Sequence, residues 1–212
     1  MSPVPVLVKF GLLPEKHTAF FLCDIQEKFR PAMLHFQEIV QAADKLVQAS
    51  RILDIPLIVT EQNPVGLGST VKELDINHAV GVHSKTKFSM IIPEVMTQIN
   101  DVCGGHLQCV VLFGIETHIC VEQTAAELCA RGYKVHIVAD ACTSRTQEDR
   151  LLAFERLRQM GCFITTTETV IFKLLGDKEH PKFCDMRPLF KSPTTCTGLA
   201  FSANSAKTQS NT

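Results

Sequence analysis

The chain carries the sequence CVVLFGIETHICVEQT at residues 109–124, and this stretch decides both its fold and its chemistry. Residues 109–113 are an apolar run typical of a buried strand, and Gly114 follows them directly. After the polar residues 116–118 a helical pattern begins, with Cys120 in its first turn. Because unpaired backbone N–H groups at a helix start favour negative charge, a thiol there should ionise more readily than one in a core.

Cysteine is also a common filler of protein cores, so the helical phase of Cys120 matters. The apolar residues of the predicted helix recur on one face: Val121, Ala125, Leu128 and Cys129. Cys120 lies off this stripe, on the face that carries Thr124, Glu127 and Arg131. The phase argues against simple packing, but the local sequence alone leaves a reactive and a structural role equally open.

Length, charge and cysteine usage limit the class of protein. A chain of 212 residues suits one α/β domain. Its 21 basic and 22 acidic residues give a net charge of -1, so neither nucleic acid nor a membrane is an expected partner. Nine cysteines without a C-x-x-C pair indicate a reduced compartment, and no apolar run has the length of a membrane span. We therefore expect a cytoplasmic protein without a signal peptide.

Apolar runs and helical stripes alternate along the chain. The predicted strands cover residues 18–25, 55–60, 79–83, 109–113, 133–139 and 162–165. Predicted helices cover residues 35–54, 91–102, 120–132, 168–175 and 181–191, and a further helix capped by Ser144 or Thr146 runs to residue 160. This alternation predicts a three-layer αβα Rossmann-like fold with a central, mainly parallel sheet of about six strands. We expect an irregular arm at 1–17, the domain at 18–191 and a disordered tail at 192–212.

Polar side chains follow four of the predicted strands. Asp24 ends the first strand, Lys85 follows the third, Cys120 follows the fourth and Asp140 follows the fifth. Ligands of parallel sheets bind beyond the carboxyl ends of the strands, where the strand order reverses. An acid, an amine and a thiol from distant parts of the chain should therefore meet at one edge of the sheet.

These residues resemble the isochorismatase-like cysteine hydrolases, a family that includes nicotinamidases and N-carbamoyl amide hydrolases. The resemblance covers about residues 18–190 and rests on three segments in the family's order: FLCDIQEKF at 21–29, KTKFS at 85–89 and GIETHICVEQTAAEL at 114–128. Several longer segments resemble the animal subgroup of isochorismatase domain-containing proteins. Together the segments are a specific signal, whereas each alone would be weak.

The resemblance implies a role for each matching residue. The family's catalytic aspartate falls on Asp24, its lysine on Lys85 and its nucleophile on Cys120, whereas Lys87 lies two residues too late. It also implies a non-proline cis peptide at Ile115–Glu116, which would direct the Glu116 N–H and the Cys120 N–H toward one oxyanion. Cleavage of a C–N bond in a small amide or ureido substrate, through a thioester, is the implied reaction.

Five residues near these positions are candidates for substrate contact: Phe29, Gln62, Phe88, Thr117 and His118. Four of them have a simpler alternative, since the aromatic rings could belong to the core, Gln62 could be solvated and Thr117 could cap the helix, which we favour for Thr117. Asp140 could complete the pocket or pair with Arg145.

Departures from the family pattern limit the chemistry. Nicotinamidases carry Asp-x-His where this chain has Glu61, Gln62 and Asn63, so we expect no metal and no cofactor. His78 and His83 are expected to be surface or loop residues. Members devoted to vinyl ether cleavage commonly lack the cysteine, so Cys120 argues against that reaction.

Two other functions stay open at this point. One is a catalytically idle interaction scaffold or thiol redox sensor on the same fold, and the other is isochorismate-type vinyl ether hydrolysis. The expected partners are a small-molecule substrate and further copies of the chain, in a homo-oligomer such as a dimer or tetramer.

Overall fold

A computed structural model describes residues 6–191. The tail predicted at 192–212 and the first five residues of the predicted arm lie outside the described residues. The rest of the arm contains two short 3-10 helices, Val6–Phe10 and Glu15–His17, and it buries Val8 and Leu13. No helix between residues 6 and 191 has the length and the hydropathy needed to cross a bilayer.

Within the described residues six strands form one sheet, and every pair in it is parallel. The strands are β1 (Thr18–Cys23), β2 (Leu57–Gln62), β3 (Gly81–Lys85), β4 (Cys109–Ile115), β5 (Lys134–Thr143) and β6 (Phe163–Thr165). Their order across the sheet is β3-β2-β1-β4-β5-β6. The predicted Rossmann-like fold is confirmed.

Helices cover both faces of this sheet. They are α1 (Phe36–Ile52), the single turn α2 (Pro64–Leu67), α3 (Pro93–Asp101), α4 (Glu122–Ala130), α5 (Gln147–Gln159), α6 (Thr167–Leu175) and α7 (Phe183–Phe190). α1 contacts α6 and α7, whereas α4 contacts α5. Because the strands progress outward in opposite directions from the centre, right-handed crossovers place α1 and α4 on opposite faces.

The centre of the sheet is also the centre of the core. Every residue of β1 and of β4 is buried, which explains why both strands read as continuous apolar runs. The strand order reverses between these two neighbours, since β2 and β3 lie beyond β1 and β5 and β6 lie beyond β4. The switch point at which such sheets bind ligands is therefore formed by the carboxyl ends of β1 and β4.

Gly114 allows β1 and β4 to approach closely at that point. It lies opposite Cys23 in the β1–β4 register and has a φ of 135°. A Cβ atom at this position would lie 2.0 Å from the backbone oxygen of Cys23. Only glycine therefore fits there without moving the strand that delivers Asp24.

The structure corrects the prediction for Asp140. β5 continues to Thr143, so Asp140 lies inside the strand rather than at its end. Its Oδ1 atom accepts hydrogen bonds from the Thr167 N–H at 2.8 Å and the Thr167 hydroxyl at 3.1 Å. Asp140 thus holds the start of α6 and does not pair with Arg145.

Candidate active site

Asp24 and Lys85 form a buried ion pair beyond the carboxyl ends of the strands. Asp24 follows β1 in a left-handed conformation with a φ of 52°, which turns its side chain away from the strand direction. Lys85 is the last residue of β3. Its Nζ lies 2.6 Å from Asp24 Oδ2, and both side chains are 0% exposed. A charge pair removed from water in this way persists only where its remaining polar atoms are satisfied.

The Lys85 ammonium is surrounded by oxygen atoms. Besides Asp24, it contacts Gln62 Oε1 at 2.8 Å and the backbone oxygens of Phe88 at 2.9 Å and Lys87 at 3.2 Å. Burial disfavours the charged amine, but the interactions of the ammonium with the Cys23, Asp24 and Cys120 side chains outweigh burial and raise the pKa of Lys85 above its ordinary value. Lys85 is therefore a permanent cation at neutral pH.

Asp24 is held by a second donor on its other oxygen. The Thr60 hydroxyl donates to Asp24 Oδ1 at 2.7 Å, and the Asp24 N–H donates to the Thr60 carbonyl oxygen at 3.2 Å. Nearby, the buried Gln26 binds β2 through the Gln62 N–H at 2.7 Å and binds the Gly68 carbonyl oxygen at 2.6 Å. These contacts fix the ends of β1 and β2 relative to each other.

The elbow, which is the turn at residues 116–121 between β4 and α4, presents Cys120. The Ile115–Glu116 peptide bond is cis, which confirms the expectation from the resemblance. Thr117–Val121 then form a π-helical turn that leads into α4, so Cys120 lies in a wide turn rather than in a regular first turn. Cys120 is buried, with 5% exposure. The predicted off-stripe phase therefore does not direct Cys120 to solvent: the residue belongs to the buried core, where its thiol interacts with that of Cys23.

Thr124 links the Cys120 turn to the segment that follows Lys85. Its hydroxyl donates to the Cys120 carbonyl oxygen at 2.6 Å and accepts from the Met90 N–H at 2.8 Å. On the same face of α4, Glu127 pairs with Lys87 at 2.6 Å. Lys85 and Lys87 thus have distinct partners, since only Lys85 contacts Asp24.

A second thiol belongs to this cluster. The Cys23 Sγ lies 3.6 Å from Asp24 Oδ2, and its thiol also interacts with that of Cys120. Burial, the contact with Cys120 and the charge of Asp24 raise the pKa of Cys23 well above its ordinary value. Cys23 therefore keeps its proton beside the pair, and both Cys23 and Cys120 lie close enough to Lys85 to interact with its ammonium.

The loop after β5 secures the elbow at two points. Arg145 binds the Glu116 carboxylate through Nε at 3.2 Å and Nη2 at 3.1 Å, and its backbone N–H donates to the same carboxylate at 3.4 Å. His118 Nδ1 lies 2.9 Å from the Ser144 hydroxyl. Arg145 therefore pairs with Glu116 instead of with Asp140, and it orients the residue whose N–H was predicted to face the oxyanion.

The candidate substrate contacts have different surroundings. Phe29 is half-buried against the core, and Phe88 is 52% exposed. Gln62 uses its amide oxygen on Lys85 and its amide nitrogen on the Thr86 carbonyl oxygen at 2.8 Å. Its observed partners thus belong to the protein, and substrate contact by Phe29, Gln62, Phe88 and His118 stays a prediction.

The expected helix cap at Thr117 is wrong. Glu116 occupies the cap position of the turn, and no side chain caps it. The Thr117 hydroxyl is fully buried and has no hydrogen-bond partner within residues 6–191. A buried hydroxyl without a partner is costly, which makes substrate contact a better prediction for Thr117 than capping.

Residues at the position of the metal motif serve the protein itself. Glu61 accepts from the Thr70 N–H at 2.7 Å, and the Asn63 N–H donates to the Lys85 carbonyl oxygen at 2.8 Å. His78 contacts the Ser50 hydroxyl at 2.7 Å. Across the described part of the chain, no three His, Cys, Asp or Glu side chains converge as metal ligands would.

Fold and site together define a doubly wound α/β protein with a carboxylate, an ammonium and thiols at its switch point. A family model described as Isochorismatase domain matches residues 18–169. The chain therefore belongs to the isochorismatase family, and it is an enzyme of the hydrolase type.

Individual relatives agree with this assignment. The chain is 48% identical to isochorismatase domain-containing protein 1 of Danio rerio over 193 residues, which is 91% of this chain and 68% of that protein. It is 46% identical to isochorismatase domain-containing protein 2 of Xenopus laevis, covering 91% and 93% of the two chains. Among solved structures, one described as MAR1 ribonuclease from Caenorhabditis elegans aligns with a TM-score of 0.85 at 41% identity, covering 91% of this chain and 99% of that one.

Several residues of the site were missed by the sequence analysis. Thr60 and Cys23 read as parts of apolar strands, and only their position next to a strand end could have marked them. Gln26 lies in the quoted segment FLCDIQEKF, two residues after Asp24, which was a usable signal. The Arg145–Glu116 pair had no sequence signal, because the two residues are 29 positions apart in different loops.

Proposed function

We propose that this chain is a metal-independent cysteine hydrolase that cleaves the C–N bond of a small amide or ureido compound. The observation that carries this proposal is the buried Asp24–Lys85 pair, at 2.6 Å, beside the Cys120 thiol. Burying two opposite charges at a switch point does little for stability, since hydrophobic residues of similar size would often serve as well. Such a pair is better explained by chemistry that needs it.

In this mechanism Asp24 accepts the proton of the Cys120 thiol, and the thiolate attacks the carbonyl carbon of the substrate. The carbonyl electrons move to oxygen, where the N–H groups of Glu116 and Cys120 stabilise the oxyanion by about 3 kcal/mol per donor. The tetrahedral intermediate then expels the amine, which takes the proton from Asp24. A thioester on Cys120 remains.

Water completes the cycle. Asp24, again a carboxylate, removes a proton from water as its oxygen attacks the thioester carbon. The acid product leaves, and the sulfur of Cys120 recovers its proton. Lys85 takes no part in proton transfer, because four oxygen atoms surround its ammonium and its pKa is raised. Its role is to hold Asp24 and to offset the negative charge that appears on sulfur.

A test combines substrate screening with covalent capture. The full-length protein is incubated with small carboxamides and N-carbamoyl amino acids, ammonia is measured, and the acyl group is located by mass spectrometry. We expect an adduct on Cys120, no turnover by Cys120→Ala, and a loss of about 10²- to 10⁴-fold for Asp24→Asn. Cys184→Ala, which changes an exposed thiol, should behave as the wild type.

The outcomes separate the alternatives. Turnover that survives Cys120→Ala but not Asp24→Asn would indicate vinyl ether hydrolysis, for which isochorismate is included in the screen. No turnover and no adduct with any compound would favour an interaction scaffold. Capture is more specific than alkylation with iodoacetamide, because another thiol, Cys129, has its pKa lowered to about 7.

A second candidate function is RNA cleavage, which the C. elegans structure favours because it is described as a ribonuclease and is 41% identical. Against it, 21 basic and 22 acidic residues supply no broad positive field for a phosphate backbone. Incubation with single-stranded RNA at low and high salt tests this reaction. If the wild type cleaves RNA and Asp24→Asn does not, the chain is a ribonuclease and the amidase proposal is wrong. We expect no RNA cleavage by the wild type.

We also propose that the chain forms a homo-oligomer, either a dimer or a tetramer, and that it acts in the cytoplasm. Light scattering on the full-length protein measures the mass of the particle. A mass equal to the 23.5 kDa chain would refute oligomerisation.

A further inference from the structure

Two cysteines outside the candidate active site lie in direct contact. The Sγ atoms of Cys129 and Cys162 are 3.6 Å apart, and both residues are free cysteines. Cys129 lies in the last turn of α4, and Cys162 immediately precedes β6. Neither thiol has a role in the proposed hydrolysis, so their pairing needs a separate explanation.

The surroundings make the two thiols unequal. Cys129 is half-buried, whereas Cys162 is only 7% exposed. The hydrogen bond from Cys162, opposed by burial and aided by the charge of Lys134, lowers the pKa of Cys129 to about 7. The same contact, together with burial, raises the pKa of Cys162. Cys129 therefore ionises more readily than an ordinary thiol and lies against Cys162, which holds its proton more tightly, as in pairs of an attacking and a resolving cysteine.

We propose that Cys129 and Cys162 are an oxidation site that forms a reversible disulfide when the protein meets a peroxide. The Cys129 thiolate attacks one peroxide oxygen, the O–O bond breaks, and hydroxide leaves, which gives a sulfenic acid. The Cys162 sulfur then attacks the sulfenic sulfur, the S–O bond breaks, and the lost thiol proton combines with hydroxide as water. In sum, two thiols and one hydrogen peroxide give one disulfide and two waters.

The positions of the two sulfur atoms suit this reaction. Formation of the bond needs the two sulfur atoms to approach from 3.6 Å to about 2.05 Å. The cross-link would join the end of α4 to the start of β6, in addition to the ion pair between Glu122 and Arg156 at 2.7 Å that already connects α4 and α5. It would thus fasten the helix that begins at the Cys120 turn without using Cys120.

Peptide mapping of the full-length protein tests the proposal. The protein is treated with one equivalent of hydrogen peroxide at neutral pH, quenched with catalase, alkylated, and digested without reduction. We expect a peptide pair linked through Cys129 and Cys162, a mass lower by two hydrogens, and a melting temperature higher by about 5 °C or more, all reversed by dithiothreitol. Cys129→Ser and Cys162→Ser should lose the link, and Cys184→Ser should retain it.

Other products would overturn the proposal. A link between Cys23 and Cys120 as the main product would place the oxidation site in the catalytic cluster instead. Sulfinic acid on Cys129 with Cys162 alkylated would show that Cys162 does not resolve the first product. The wild-type map gives either answer, so the test does not depend on the serine variants folding.

Discussion

The Lys85 ammonium lies 2.6 Å from the Asp24 carboxylate across a gap of 61 residues in the sequence, and neither side chain is exposed to solvent. Each charge is the main reason that the other can be buried. The pair therefore couples the stability of the sheet to the integrity of the candidate active site.

Removal of the Lys85 ammonium should both destabilise the protein and inactivate it. Lys85→Met leaves the Asp24 carboxylate buried without its cation, and we expect a loss of about 3–5 kcal/mol in the free energy of unfolding by urea. Lys87→Met is the matched control, because its ion pair with Glu127 lies at the surface and is worth at most about 1 kcal/mol. Equal losses in the two variants would contradict this account.

Gly114 should tolerate no side chain. In Gly114→Ala the new Cβ would lie 2.0 Å from the Cys23 carbonyl oxygen, at a φ of 135°. We expect a loss of about 3 kcal/mol or more in unfolding free energy, because strain adds to overlap. Gly132→Ala, with a φ of 88° but no atom within 4 Å of its Cβ, isolates the strain and should cost about 1 kcal/mol. A Gly114→Ala loss no larger than this control would show that the strands separate without cost.

The Thr124 hydroxyl should matter more than its methyl group. Thr124→Val removes the donor to the Cys120 carbonyl and leaves the Met90 N–H without its acceptor, which should cost about 1–3 kcal/mol in stability. It should also slow acylation of Cys120, because the π-helical turn loses one of its supports. Thr124→Ser keeps both hydrogen bonds and should retain the wild-type acylation rate. Similar rates in the two variants would rule out a positioning role for the hydroxyl.

The free energy of unfolding should decrease as the pH is lowered, because one buried histidine is harder to protonate in the folded chain than in the unfolded chain. His136 stacks on Phe163 at 4.8 Å, and neither ring nitrogen has a partner in the described part of the chain. Burial, with a contribution from the charge of Lys173, lowers its pKa from 6.5 to about 3. Below pH 6.5 the histidine binds a proton in the unfolded chain but not in the folded chain. His136 therefore lowers the free energy of unfolding by about 1.4 kcal/mol for each pH unit between pH 6.5 and about pH 3.

His136→Phe removes that titration, so the difference in unfolding free energy between variant and wild type should grow in favour of the variant as the pH falls below 6.5. Urea unfolding at several pH values measures it. His106→Gln, at an exposed position, is the control and should follow the wild type. A difference that stays constant with pH would show that the pKa of His136 is the same in the folded and the unfolded chain.

The fold could be predicted from the sequence because burial alone determines the residue pattern of its central strands. β1 and β4 are buried on both faces, so each appears as an uninterrupted apolar run, and alternation with helices then fixes the parallel arrangement. The convergence of Asp24, Lys85 and Cys120 followed from the rule for switch points together with the family resemblance.

The errors have physical causes that a single sequence does not display. Asp140 interrupts an apolar run, yet β5 continues past it because Thr167 satisfies its carboxylate. Thr117 lies where a cap was expected, but the turn widens to a π-helix, so no cap position coincides with it. Contacts such as Arg145 with Glu116 depend on where two loops meet, which only the assembled sheet determines.

Lys85 ends β3, one of the two edge strands of the sheet, whose pairing partner within the described residues is β2. Edge strands open by local unfolding more readily than central strands do. Transient opening of β3 would move the Lys85 ammonium away from the site. Asp24 and Cys120 would then lack the positive charge beside them. We therefore expect hydrolytic activity to be lost on mild warming, at temperatures where most of the helices and the inner strands are still folded.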